Sequence, residues 1–140
     1  MRQILLFAAL AASLALLSGC ALSKAKEDKA EDMPDNAAYH KISAEEAYEM
    51  MASQEVVVVD VRTREEYDGG HIENAVLVPN ESIDSEMPEA LPDKEATLLI
   101  YCRSGRRSKD AAQKLLALGY QSVYDFGGVI DWPYELVKEG

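Results

Sequence analysis

Cysteine is scarce in this chain of 140 residues: only Cys20 and Cys102 are present, and no Cys-x-x-Cys pair occurs. A cysteine-rich zinc site and a disulfide framework are thereby excluded. Histidine is equally scarce, with His40 and His71 alone. Metal ligands are too few for a centre, so no metal and no cofactor is expected. Long apolar runs are missing too. The longest, residues 4–17, holds 14 residues and is broken only by Ser13, whereas spanning a bilayer takes about 20. Positive charge is in short supply: 14 Lys and Arg face 25 Asp and Glu, a net of −11. Such an acidic chain is a poor partner for nucleic acid. No internal repeat is visible, and the length allows one folded domain.

What the N-terminus does contain is a targeting pattern. Arg2 supplies a positive start, the apolar run 4–17 follows, and Leu17-Ser18-Gly19-Cys20 closes it. The first 19 residues read as a secretory signal peptide. The last four look like a bacterial lipobox, which marks Cys20 for lipidation by fatty acyl chains such as palmitate. More than one acyl chain gives a stable anchor. Residues 21–38 carry three lysines, five acids and Pro34, a composition too polar to bury and suited to a flexible tether. The expected protein is lipid-anchored in a bacterial cell envelope, outside the cytoplasm. Only the anchor at Cys20 should touch the membrane. Which membrane holds it is left open.

The folded domain is expected over residues 39–140. Short strands are read at 40–42 and 75–78. The run Val56-Val57-Val58-Val59 has the continuous β-branched character of a strand buried on both faces of a parallel sheet. Ser43 with Glu46, and Thr63 with Glu66, are two capping boxes, each starting a helix. Residues 80–93 read as a loop with a helical turn. A buried strand is expected at 97–101, a helix at 108–118 with Gly119 just beyond it, and a last strand at 122–125. Strands alternating with helices indicate an α/β fold.

The most informative stretch is Tyr101-Cys102-Arg103-Ser104-Gly105-Arg106-Arg107-Ser108. It places a cysteine at the end of a buried strand, then a turn rich in arginine, then a helix. Backbone N–H groups of such a turn and the helix N-terminus favour a thiolate. If Cys20 is lipidated, Cys102 has no partner for a disulfide, which points to a reactive thiol. Residues 39–140 hold 20 acidic and 10 basic residues, yet Arg103, Arg106, Arg107 and Lys109 lie within seven positions. A focused basic spot on an acidic domain suits a small anion.

These residues resemble the active-site loop of the rhodanese (sulfurtransferase) family, written C-R-x-G-x-R. Two further blocks strengthen the resemblance. The stretch from Asp60 to Ile72, with Arg62, Glu66, Tyr67, Gly70 and His71, is similar to D-x-R-x-x-x-E-[FY]-x-x-G-H-I. Gly127, Gly128 and Trp132 match G-G-x-x-x-W. Asn74 stands where the family usually has glycine. The resemblance implies a rhodanese-like fold, a five-stranded parallel sheet with helices on both faces.

It also implies sulfur transfer through a Cys102 persulfide. The donor would be a small anion such as thiosulfate, and the acceptor a thiol or cyanide. Arg103, Ser104, Gly105, Arg106 and Arg107 would form the anion site. Asp60 and Arg62 would form a buried charge pair, and His71 would brace the scaffold. A monomer is expected. Two other readings compete. One is a persulfide carrier or sensor that serves a partner protein without turnover. The other is a cysteine phosphatase or arsenate reductase, disfavoured because those use C-x5-R, whereas Arg107 makes the loop here C-x4-R.

Overall fold

In the computed structural model, which describes residues 38–139, the apolar runs become strands and the capping boxes start helices. The elements in chain order are β1 (Tyr39–Lys41), α1 (Ala44–Ser53), β2 (Val57–Asp60), α2 (Arg64–Asp68), β3 (Val76–Leu77), β4 (Leu98–Cys102), α3 (Arg106–Ala117) and β5 (Val123–Gly128). Two 3-10 turns, Asn80–Ser82 and Val129–Asp131, complete the list. The signal sequence, Cys20 and the tether up to residue 37 lie outside the described residues.

All strand pairs of the five-stranded sheet are parallel, in the order β1-β5-β4-β2-β3. Central β4 is buried along its whole length. Its side chains alternate between two cores, as the period of a strand requires. Leu98, Ile100 and Cys102 join one core with Ala111, Ala112 and Leu115 of α3. Leu99 and Tyr101 join the other with Ala47 of α1 and Tyr67 of α2. Helices therefore cover both faces. Fully burying one such aliphatic side chain stabilises the fold by about 1.5–3 kcal/mol.

Both capping boxes form. Ser43 Oγ accepts the Glu46 N–H at 3.1 Å, and Glu46 accepts the Ser43 N–H at 2.7 Å. Thr63 and Glu66 repeat the exchange at 3.2 and 3.0 Å. Most strand ends shift by one residue from the sequence reading, and two larger differences shape the site. Helix α3 starts two residues early, at Arg106, with Gly105 in its N-cap position. Strand β5 continues through Gly127 to Gly128, because Gly128 pairs with Cys102 after a shift in register. Among the described residues, no helix is long and apolar enough to cross a membrane.

Candidate active site

Cys102 closes β4, at the carboxyl end of the sheet, where open α/β folds hold their ligands. Its side chain is buried. The Sγ accepts the Gly105 N–H at 3.0 Å. For that bond the chain must turn back on itself within three residues. Gly105 makes the turn with φ 100, a left-handed conformation that suits glycine. Helix α3 begins immediately after. Its first N–H groups have no partner within the helix, and its dipole adds about 0.3–1 kcal/mol in favour of an anion.

The loop rests on a floor without side chains. A Cβ on Gly128 would lie 2.6 Å from Ser104 Cα and closer still to the Arg103 carbonyl oxygen. Only glycine fits beneath the loop there. Asp125 fixes this floor from below. Its Oδ1 accepts the Ser108 hydroxyl at 2.8 Å and the Gly127 N–H at 2.9 Å. Lys41 Nζ lies 3.3 Å from Oδ2. One buried carboxylate thus ties the first turn of α3 to β5 and β1.

The three loop arginines have different surroundings. Arg107 is half-buried and donates to both oxygens of Glu66, at 2.7 and 2.8 Å. Hydrogen bonding from Arg107 holds the Glu66 carboxyl at about 2, below its usual 4.5. The same bonds raise the Arg107 pKa. Arg103, Ser104 and Arg106 are exposed. Among the described residues, neither Arg103 nor Arg106 forms an ion pair, although Asp110 feels the charge of Arg106.

Asp60 and Arg62 lie around Tyr101, whose side chain points into the core opposite that of Cys102, while His71 packs on Tyr67. Asp60 is fully buried, and Arg62 Nη2 lies 2.7 Å from its Oδ2. Arg62 also donates to the Gly70 carbonyl at 2.7 Å. The Tyr101 hydroxyl donates to Asp60 at 2.7 Å and accepts the Ile72 N–H at 3.0 Å. Burial and the Asp60 charge push the Tyr101 pKa up. Burial works against the Arg62 charge, but the bonds and charge of Asp60 outweigh it and raise the pKa. His71 Nδ1 is 2.9 Å from the Tyr67 carbonyl, and its ring stacks on Tyr67 at 3.7 Å. These groups hold the 60–72 segment together and make no hydrogen bond to the sulfur.

A family model, the Rhodanese-like domain, matches residues 43–133, a span that holds the Cys102 loop, its glycine floor and the Asp60–Arg62 pair. The chain belongs to the rhodanese-like family. A human single-domain sulfurtransferase is 25% identical and superposes with a TM-score of 0.59, covering 69% of this chain and 96% of that one. A rhodanese from E. coli, solved with anions, is 34% identical with a TM-score of 0.54, covering 59% and 98%. The tRNA uridine(34) hydroxylase of Yersinia pestis (strain Pestoides F) is 31% identical over 106 residues, which is 72% of this chain. The chain spans only 30% of that hydroxylase. Asn74, at the family's glycine position, adopts φ 63, so the substitution keeps the left-handed conformation.

Three groups of this rhodanese-like site escaped the sequence reading. Glu66 was recognised as a cap but also holds Arg107. Ser108 reads from the sequence as the start of a helix, yet its hydroxyl turns inward to Asp125. Lys41 had no signal at all. The spacing of Glu66 within the second sequence block is the one clue that could have found the first of these.

Proposed function

We propose that the domain transfers a sulfane sulfur from thiosulfate, or a similar dianion, to a thiophilic acceptor through a persulfide on Cys102. The observation that carries this reading is the pair Arg103 and Arg106. In a region with 20 acids and 10 bases, these two arginines flank the Cys102 loop exposed and, among the described residues, without ion pairs. A guanidinium fork fits sulfonate oxygens. In the first step the Cys102 thiolate attacks the outer sulfur of thiosulfate. The S–S bond of the donor breaks, and sulfite leaves with its electron pair. Cyanide can then take the outer sulfur as thiocyanate, returning the thiolate. No external oxidant or reductant is needed. Relatives named sulfurtransferases support the reaction class.

The phosphatase-like reading is weaker. Position six after Cys102 is Ser108, engaged with Asp125, and Arg107 is engaged with Glu66. A wider loop with a free arginine is what phosphoryl chemistry would use. The decisive experiment is intact mass after incubation with thiosulfate. A gain of one sulfur atom on Cys102, removed by cyanide, is expected. An unchanged mass would end the persulfide reading. Steady turnover with thiosulfate and cyanide would separate an enzyme from a carrier.

We also propose that Cys20 is lipidated and tethers the domain outside the cytoplasm. The support is the Leu17-Ser18-Gly19-Cys20 sequence behind its apolar run. Metabolic labelling with a fatty-acid analogue should mark the wild type and not Cys20→Ala. Equal labelling of both would refute the anchor.

A further inference from the structure

We propose that the cleft on the sheet face opposite Cys102 binds a small organic cation, an ammonium group carried on an apolar body. This site is independent of the persulfide reading and of the Cys102 loop.

The cleft has a volume of about 810 Å³, within the roughly 300–1,000 Å³ of sites that take small molecules. Its floor is Val58 and Ile72, which belong to the core that holds Tyr101. Cys102 belongs to the other core. The walls are aromatic: Tyr48 of α1, and Trp132 and Tyr134 from the segment after β5. Tyr48 and Tyr134 stack at 3.9 Å with 16° between their planes. Trp132 stands across both, at 61° to Tyr48 and 70° to Tyr134. The three rings therefore make a corner with two walls. Phe126 backs the Trp132 ring at 5.6 Å. The Trp132 Nε1 is buried without a hydrogen-bond partner, so packing positions this ring, and the part of it that meets the cleft is carbon. Tyr48 is 47% exposed and Tyr134 36%, which leaves ring surface for a ligand to cover.

Charge decides the kind of ligand. The face of an aromatic ring is electron-rich and attracts a cation within about 6 Å of its centre. Glu55, Glu73 and Glu135 line the same cleft, all exposed, and no lysine, arginine or histidine lines it. Among the described residues none of the three glutamates has an ion pair. Rings and carboxylates thus act in one direction. Both favour a cation, and the carboxylates repel an anion such as thiosulfate. A neutral apolar molecule gains from the rings and nothing from the glutamates. The walls and floor form a concavity, which suits a molecule that fits inside over a polypeptide laid across the rim. The cleft is therefore opposite to the Cys102 loop in charge preference as well as in position.

Trp132 is the single tryptophan of the chain, so intrinsic fluorescence of the full chain reads this cleft directly. Benzyltrimethylammonium is the cationic probe, benzyl alcohol the neutral one and benzoate the anionic one. The cation should shift the emission saturably, with a Kd about tenfold below that of benzyl alcohol. Benzoate should give no saturable change. Replacing the exposed Glu55, Glu73 and Glu135 together by glutamine should bring the cation to the affinity of benzyl alcohol and leave benzyl alcohol unmoved. Tyr134→Leu, which keeps apolar bulk and removes the ring face, should weaken the cation more than the alcohol. Thiosulfate at matched ionic strength should not displace the cation. Equal affinities for cation and alcohol, or an unchanged cation Kd in the glutamine variant, would overturn the cation site. So would displacement by thiosulfate, which would put the probe at the Cys102 loop, or tighter binding of a lysine-rich peptide, which would make the occupant a polypeptide.

Discussion

Arg107 and Glu66 face each other through both ends of the guanidinium and both carboxylate oxygens, at 2.7 and 2.8 Å. The pair fastens the first turn of α3 to the start of α2. Glu66 also accepts the Thr63 N–H at 3.0 Å, so one carboxylate serves as helix cap and as loop staple. Its folded pKa of about 2 lies below the usual 4.5. A depressed carboxylate pKa means stability that is complete above the unfolded value and lost as pH falls toward the folded one. The wild type should thus exceed Glu66→Gln in stability near neutral pH, and the gap should shrink between about 4.5 and 2. Urea midpoints measured across that window check it. Two parallel curves would remove the pair from the stability of the fold.

The arginines should separate by role. Arg103→Ala and Arg106→Ala each remove a charge that has no ion pair among the described residues, so KM for thiosulfate should rise several-fold while kcat holds. Arg107→Ala should also raise KM more than it lowers kcat. It should lower Tm in addition, because Glu66 loses its partner. Steady-state kinetics with melting curves on the three variants would distinguish these outcomes. A Tm loss in Arg103→Ala equal to that in Arg107→Ala would contradict the division.

Cys102→Ser should abolish sulfur transfer and leave the fold intact. Cys102 is the free cysteine among the described residues, and the hydroxyl that replaces it is a far weaker sulfur acceptor. Activity above a few per cent of wild type would rule out the persulfide route.

Gly128→Ala tests the floor. The added methyl would meet Ser104 Cα at 2.6 Å, so either the loop or β5 must move. Overpacking of this kind costs about 1–3 kcal/mol. The displaced loop should lose most of its turnover even where the variant still folds. Full activity in Gly128→Ala would show that the loop tolerates the shift.

The legible parts of this protein were those decided locally. Val57, Val58 and Val59 announce a buried strand by side-chain type. Ser43 with Glu46, and Thr63 with Glu66, announce helix starts by a spacing of three. The parallel character of the sheet was legible in the valine run and in the alternation of strands with helices, and the count of five strands came from family resemblance; the strand order came from neither, since local pattern gives strands but not their neighbours. The start of α3 lies two residues ahead of the 108–118 expected from sequence, because the arginines of the turn give no sign of a helix start. Gly105 takes the N-cap position with a conformation no side chain advertises, and the Ser108 hydroxyl goes to Asp125. The end of β5 was misread for a related reason. Gly127 and Gly128 look like a turn, yet Gly128 pairs with Cys102 because nothing bulkier could lie under the loop. The Arg107–Glu66 and Lys41–Asp125 contacts join distant parts of the chain, and no periodicity encodes them.

His71 and Val137 exchange two backbone hydrogen bonds, at 2.9 and 2.8 Å, and a Cβ on Gly70 would touch Leu136 at 3.6 Å. The segment around Leu136 is therefore a clasp and not a tail. A chain trimmed ahead of Leu136 would bare the peptide groups of His71 and unfasten the strip that Arg62 grips through the Gly70 carbonyl. For anyone building a shortened or tagged version, Val137 marks the earliest safe place to cut, and a fusion partner needs a spacer after it.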